Sequence, residues 1–299
     1  MRGGYLGRCH GRGQPNGWFL AALRPFWSSF TAMSPTATEP TRLTPLLGPD
    51  DPRPIELLET GPAGVALLVA DHAGRAIPRR LGTLGLPPAA LDLHIAYDIG
   101  IAELTRALGR RLDASGVMSR YSRLVIDCNR RLEDPTSIAQ ESDGVAVPGN
   151  RGLAPVERRY RAGAIFAPYH AAIAALLARR KQQRQPTVFV SMHSFTPRMG
   201  GVERPWQLGV LWDKDARIAK PLIERLRQAG DLVVGDNEPY DARNGEGYTV
   251  EAHAVPGGLP HVMLEVRQDI IAEPAAAERF AEKLAPILAP LIAAAVAGA

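Results

Sequence analysis

The sequence predicts an α/β fold: one domain built on a mixed, mainly parallel central sheet with helices on both faces. Three observations lead to this fold class. Short apolar runs of strand length alternate along the chain with amphipathic segments of helix length. Several of the runs are apolar throughout, which is typical of strands that are covered on both faces. The 299 residues, of which 45% are hydrophobic, are enough for one large core.

The first predicted elements follow a lead-in. Residues 1–33 are interpreted as an overextended or disordered leader, because Met33 resembles a natural start. Residues 34–54 contain six prolines and are expected to form a flexible linker. A single catalytic domain is therefore predicted over residues 55–299.

Within this domain, apolar periodicity and turn residues define the elements in order. We expect a strand at 65–71, a helix at 91–112, strands at 117–121 and 124–128, and a polar loop at 129–152. A helix at 155–183, kinked at Pro168, then precedes a strand that ends at His193. A strand at 208–212, a helix at 216–229, a strand at 232–234, a loop at 239–246, a strand at 261–265 and a helix from Pro274 complete the chain.

Charge and cysteine content exclude several classes of protein. The net charge of +4 arises from four N-terminal arginines, since the remaining 31 basic residues match the 31 acidic ones. No basic stripe interleaved with aromatics indicates nucleic-acid binding. Charged residues and prolines interrupt the C-terminal apolar segment, so no membrane partner is expected. Two cysteines are too few for a disulfide framework, which favours the cytoplasm.

Two histidines stand where apolar runs of strand length end. His72 follows the run 65–71, and His193 ends the run 188–192. In open α/β sheets, ligands bind beyond the carboxyl ends of the strands, so the two imidazoles should meet at one sheet edge. A catalytic zinc takes about three protein ligands and keeps one position open. The pair therefore indicates a site for Zn²⁺ or another divalent metal, against the alternative of hydrogen-bonded core histidines.

Asp98 is the best candidate for the third ligand, because a carboxylate balances the charge of the cation. It interrupts an otherwise apolar helical pattern, and a helix that follows the first strand could pack near the end of that strand. The alternative is an aspartate that caps a helix or faces solvent.

Glu265 lies in an apolar run of strand length, where an unpaired carboxylate costs several kcal/mol. One interpretation is structural, a salt bridge to Arg267, which shares its strand face. The other is catalytic, with Glu265 acting as the general base that passes a proton to the leaving nitrogen.

Arg123, Asn129 and Arg130 surround a short apolar run and could hold an acidic substrate, since arginine binds carboxylates bidentately. The alternative is a solvated charge run in which Asp127 neutralises Arg130. His253 is a further candidate for lining the pocket, although a loop histidine is more often a surface residue.

Five motifs together resemble the N-formylglutamate amidohydrolase family over about 65–269. They are Asp71-His72-Ala73-Gly74 with Ile77-Pro78, Tyr97-Asp98-Ile99-Gly100, Ser122-Arg123 with Asp127-Cys128-Asn129-Arg130, Ser191-Met192-His193-Ser194-Phe195, and Gly258-Leu259-Pro260 leading into Glu265-Val266-Arg267-Gln268-Asp269. The family is similar to the zinc carboxypeptidases, with their phosphorylase/hydrolase-like fold, and to the zinc N-acetylmuramoyl-alanine amidases.

The resemblance implies a role for each candidate. His72, Asp98 and His193 would be the metal ligands and Glu265 the base, while Arg123, Asn129 and Arg130 would hold the carboxylates of the substrate. Arg267 would steady Glu265 or contact the tetrahedral intermediate. The implied reaction is hydrolysis of N-formyl-L-glutamate to formate and L-glutamate, the last step of one route of histidine degradation.

Two alternatives stay open at this point. One is a related amidase or carboxypeptidase that acts on another acyl or peptide substrate, because fold and metal site do not fix specificity. The other is a non-catalytic protein that binds anions. The sequence does not decide the oligomeric state.

Overall fold

A computed structural model describes residues 45–59 and 64–297. The expected leader, residues 1–33, and the first part of the lead-in lie outside the described residues. Residues 45–54 of the lead-in are described, and they pack on the domain. Leu46 is buried, and a carboxylate oxygen of Asp51 accepts a hydrogen bond from the backbone N–H of Arg79 at 2.9 Å. The division of the chain at residue 54 stays a prediction.

The described residues contain eleven strands and six α-helices. The strands are β1 (Ile55–Leu58), β2 (Ala66–Ala70), β3 (Ser115–Ser119), β4 (Glu141–Ser142), β5 (Val145–Ala146), β6 (Val188–Phe195), β7 (Arg198–Met199), β8 (Val202–Glu203), β9 (Leu208–Leu211), β10 (Val234–Asp236) and β11 (His261–Arg267). The helices are α1 (Ile101–Leu112), α2 (Pro155–Arg161), α3 (Ala167–Gln182), α4 (Ala219–Ala229), α5 (Tyr248–His253) and α6 (Pro274–Ala297).

Seven strands form the central sheet in the order β1-β3-β2-β6-β11-β9-β10. The β1–β3 and β9–β11 pairs are antiparallel, and the other four neighbouring pairs are parallel. Helices α1, α4 and α6 cover one face, and α3 and α5 contribute to the core on the other. The predicted mixed, mainly parallel sheet with helices on both faces is therefore confirmed.

Alternation along the strands divides the buried residues between the two faces. On β6, Val188, Val190 and Met192 enter the core under α1, α4 and α6, whereas Phe189 enters the opposite core. Because successive side chains point to opposite faces, Ser191 and His193 lie on the Phe189 face. We call this the polar face of the sheet.

Two predicted elements are wrong in type or extent. The run 124–128 is not a strand but part of a turn-rich loop, because Ser122 and Arg123 donate hydrogen bonds to the carbonyl of Ala96 at 2.7 and 3.2 Å. The helix predicted at 91–112 begins only at Ile101. Gly100, with φ of 80°, has a left-handed conformation that ends the preceding turn and leaves Asp98 outside the helix.

The long helix changes its helix type near the kink that was predicted at Pro168. Residues Ala162–Phe166 form one π-helical stretch between α2 and α3, directly before Pro168. Proline has no backbone N–H to bond the preceding turn, which favours a local rearrangement of this kind. The strand expected at 232–234 lies slightly later, as β10.

Two helical segments, Pro155–Gln182 and Pro274–Ala297, have the length and apolar composition of a membrane span. Core helices of soluble proteins share both properties. In α6, a buried row that includes Phe280, Leu284 and Leu288 belongs to the core under the sheet.

Candidate metal centre and substrate cleft

The three predicted metal ligands converge on the polar face. His72 lies in the turn after β2, Asp98 precedes α1, and His193 lies on β6. All three are buried, and one ligand atom from each lies within 4.8 Å of the others. The parallel pairing of β2 with β6 brings the two histidines to the same edge of the sheet.

Asp98 reaches this edge through backbone contacts. Its N–H donates to the carbonyl of His72 at 2.9 Å, and its carboxylate accepts from the N–H of Ser194 at 3.1 Å. The carboxylate does not cap α1. The expected position next to the end of the first strand is therefore found, but a loop places it there and not a helix.

Each imidazole has its Nε2 atom next to a second carboxylate. His72 Nε2 lies 2.6 Å from Asp127 Oδ1, and His193 Nε2 lies 3.3 Å from Asp71 Oδ2 and 3.1 Å from Ser191 Oγ. The Nδ1 atoms face Asp98 Oδ2, at 3.6 Å from His72 and 3.1 Å from His193. A carboxylate behind the distal nitrogen fixes the tautomer that leaves the other nitrogen free to bind a metal.

The buried carboxylates and imidazoles at this site shift one another's pKa. Burial would raise the pKa of Asp98 and Asp127, but the neighbouring histidines, together with Arg123 at Asp127, hold both well below the usual range. Burial would lower the pKa of His193, yet hydrogen bonds to Asp71 and Asp98 raise it well above its usual value. Buried carboxylates that gather in one place need compensating positive charge. His72 Nδ1 is also a buried polar atom without a hydrogen-bond partner. The donor set therefore fits a divalent metal ion.

Glu265 lies beside the metal candidates. It is in register with His193 across the parallel β6–β11 pair, so the two side chains share the polar face. Its side chain is buried, and Oε2 has no hydrogen-bond partner. Burial, assisted by the Asp98 carboxylate and opposed by the histidines and Arg123, raises the pKa of Glu265 to about 7. Such a group can accept and release a proton near neutral pH.

Arg267 does not pair with Glu265, contrary to the structural alternative. Its guanidinium extends past the end of β11, where it donates to the Asp269 carboxylate at 2.8 Å and to the carbonyl of Pro205 at 3.2 Å. Arg267 does not line the cleft next to Glu265. The role expected for Arg267 at the reacting atoms stays a prediction, and in this structure its donors are used by the neighbouring turn.

A cleft of about 150 Å³ opens onto the metal candidates and Glu265. Arg123, Asn129 and Arg130 all line it, as predicted. Arg123 donates to Asp127 Oδ2 at 2.8 Å, which leaves part of its guanidinium exposed to the cleft. Asp127 thus pairs with Arg123 and His72, whereas Arg130 pairs with Glu246.

Asn129 also has a structural task that its sequence position did not reveal. Its Oδ1 accepts a hydrogen bond from the backbone N–H of Thr249 at 3.0 Å, at the start of α5. The Thr249 hydroxyl in turn donates to Asp71 Oδ1. Asn129 therefore anchors the segment that closes one side of the cleft.

His253 is not brought to the cleft. Its Nε2 lies 2.8 Å from Nδ1 of His170, on which it stacks, and His170 Nε2 donates to the carbonyl of Cys128 at 2.9 Å. Burial and the neighbouring His170 lower the pKa of His253 to about 4. His253 is not among the residues that line the cleft, and its role in binding substrate stays a prediction.

The sequence analysis assigned no role to Asp71 or Glu246, and the one contact it considered for Asp127 was with Arg130. Alternation could have identified Asp71, since Leu67 and Val69 share its face and an aspartate in that position is buried at a cost. The Asp127 contact with His72 and the Glu246 contact with Arg130 join residues 55 and 116 positions apart, and no local pattern signals them.

A second, larger cavity of about 860 Å³ lies next to the cleft. It shares Leu211, Glu246, Gly247 and Met263 with the cleft but includes none of the metal candidates. Its size therefore does not mark it as the candidate reaction centre, since the metal candidates and Glu265 line the smaller cleft.

Comparison with known proteins finds a matching family model and similar solved structures. The family model of N-formylglutamate amidohydrolase matches residues 65–272. The crystal structure of a gene product from Agrobacterium tumefaciens is 33% identical, with a TM-score of 0.80, over 83% of this chain and 98% of that one. An N-formylglutamate amidohydrolase from Ralstonia eutropha is 19% identical, with a TM-score of 0.62, over 83% of this chain and 100% of that one; this likeness supports the fold. No curated protein matches the chain.

Proposed function

The chain belongs to the N-formylglutamate amidohydrolase family, and from this premise we propose that it hydrolyses N-formyl-L-glutamate to formate and L-glutamate in a metal-dependent reaction. In this proposal His72, Asp98 and His193 hold a divalent ion, which we take to be Zn²⁺. The reaction would be the last step of one route of histidine degradation in the cytoplasm.

One observation carries the proposal: two imidazole Nδ1 atoms face the same Asp98 oxygen, and Glu265, whose buried Oε2 has no hydrogen-bond partner, lies in register with His193. Two histidines and one carboxylate are a common ligand set of hydrolytic zinc sites. Glu265 supplies a base at the same place, which a purely structural metal site does not need.

The residues around the candidate metal site have different roles in the proposed reaction. A bound divalent ion would polarise the formyl carbonyl and acidify the attacking water. Glu265 Oε2 accepts the proton from that water and delivers it to the amide nitrogen, so that L-glutamate leaves as an amine. Asp127 and Asp71 keep the two imidazoles oriented through their Nε2 atoms.

Recognition of the substrate is assigned to the arginines of the cleft. Arg123 and Arg130 offer guanidinium groups to the two carboxylates of an N-acyl glutamate, and the cleft of about 150 Å³ suits a small acyl group. Asn129 uses Oδ1 to accept the hydrogen bond from Thr249. Its Nδ2 group is therefore the part of the side chain that would donate to the substrate.

Metal content and formate release test the proposal together. We expect about one equivalent of a divalent metal in the purified protein, and its loss in His72→Ala, Asp98→Ala and His193→Ala. His94→Ala is the matched control, because His94 lines the same cleft but pairs with Asp143 at 3.1 Å. Full metal content in Asp98→Ala would reject that ligand. Faster turnover of N-acetyl or N-succinyl glutamate or aspartate than of N-formylglutamate would reject the substrate.

A further inference from the structure

Arg130, one of the two arginines assigned to the substrate, already has an anionic partner. Its Nη2 lies 3.4 Å from Oε2 of Glu246, and both side chains are about one-third exposed at the cleft. By contrast, Arg123 is held at 2.8 Å by Asp127, whose carboxylate is 5% exposed. A partly solvated ion pair of this length is weak, so a ligand carboxylate can compete for Arg130.

Glu246 stands between two glycines at the edge of the cleft. Gly245 and Gly247 flank it with φ of 84° and 94°, a conformation that side chains rarely adopt. A Cβ atom at Gly247 would lie 2.1 Å from Cε of Met263, so the flexible end of that side chain would have to shift. Glu246 is therefore the single side chain on a short glycine-flanked segment.

The displaced carboxylate also has a place to go. Glu246 and Gly247 line both the cleft and the adjacent cavity of about 860 Å³, so the segment is the partition between them. Lys214 also lines the cavity, as does Arg243, which pairs with Asp241 at 2.7 Å. A carboxylate that leaves Arg130 can turn toward these cations and does not have to enter an apolar core.

We propose that Glu246 is a specificity-determining residue: its carboxylate occupies Arg130 in the free enzyme, and one carboxylate of the substrate takes its place. The inference rests on the proposed function, because it assumes that Arg130 receives a carboxylate of glutamate. When a ligand lacks that carboxylate, the Arg130–Glu246 pair stays intact. Glu246 therefore weakens the binding of dicarboxylates but not of monocarboxylates. The difference in affinity between the two kinds of ligand is smaller as a result.

Binding of the product, measured by isothermal titration calorimetry on the full-length metal-loaded protein, tests this without turnover. The ligands are L-glutamate and its two monoamides, L-glutamine and L-isoglutamine. In Glu246→Gln we expect L-glutamate to bind about two- to fivefold more tightly, the range of a solvated ion pair. The monoamide that lacks the carboxylate bound by Arg130 should show no change.

Two variants separate this role from a structural one. Glu251→Gln is the matched control, because it removes the carboxylate that pairs with Arg131 in the same part of the chain but does not line the cleft, and its affinity should equal that of the parent. In an Arg130→Gln background, the effect of Glu246→Gln should disappear. Unchanged or weaker L-glutamate binding in Glu246→Gln overturns the inference, as does equal tightening of both monoamides. Failure to release formate, with tighter L-glutamate binding, would overturn the proposed reaction but not the role of Glu246.

Discussion

The two faces of the sheet are built in different ways, and β11 shows the difference at adjacent positions. Leu264 enters the core under α1, α4 and α6, whereas Glu265 faces the cleft beside His193. Helices with apolar rows cover the first face. The second face is covered by helices and also by loops, whose polar side chains make contacts between residues far apart in the chain. One face therefore contributes mainly to stability. The other holds the candidate reactive groups, and burying their charges costs free energy of folding.

Glu265→Gln should have the largest effect, and it should impair the reaction at the polar face without lowering the stability of the fold. Loss of the base should lower kcat by about 10²–10⁴-fold. Metal content and the thermal midpoint should not fall, because the amide keeps the shape and removes a buried ionisable group. Steady-state kinetics with calorimetric unfolding measure both. A variant with kcat within threefold of the parent would remove Glu265 from the reaction.

Leu264→Ala should destabilise the core on the opposite face of the sheet. The side chain is fully buried, so truncation leaves a cavity and lowers the free energy of unfolding by about 2–5 kcal/mol. At a temperature where the variant stays folded, kcat should change less than threefold. Chemical denaturation and kinetics check the two quantities. A large loss of kcat without a loss of stability would mean that the two faces are not separable in this way.

His253 should make the free energy of unfolding depend modestly on pH in the acid range. The folded state lowers the pKa of His253 from 6.5 to about 4, so between these values the unfolded chain binds a proton that the folded chain does not. Stability should therefore decline as the pH falls from 6.5 to 4, by on the order of 2 kcal/mol for a partly solvated group. Unfolding by urea across this range should show a shallower decline in His253→Gln. An identical pH dependence in both proteins would contradict the assignment.

Local patterns were sufficient where one element carries its own signal. The apolar runs located the main strands, and the rule that strand ends meet at one sheet edge brought His72 and His193 together. The same reasoning failed at 124–128, because an apolar run shows that a segment is buried and not that it is extended. The helix of Ile101–Leu112 was predicted too long for a related reason, since Ile95 and Ile101 are both buried but belong to different cores.

The sequence by itself determined the alternating α/β fold and brought His72, His193 and Glu265 to one edge as candidate site residues, because strand periodicity and strand order put them there, whereas a loop places Asp98 beside them. Only the tertiary structure decided which partner each polar group takes. It assigned Asp127 to His72, Asp71 to His193, Asp269 to Arg267 and Glu246 to Arg130. Hydrogen bonds and ion pairs depend on distances of a few ångströms, and for most of these pairs those distances are set by segments far apart in the chain.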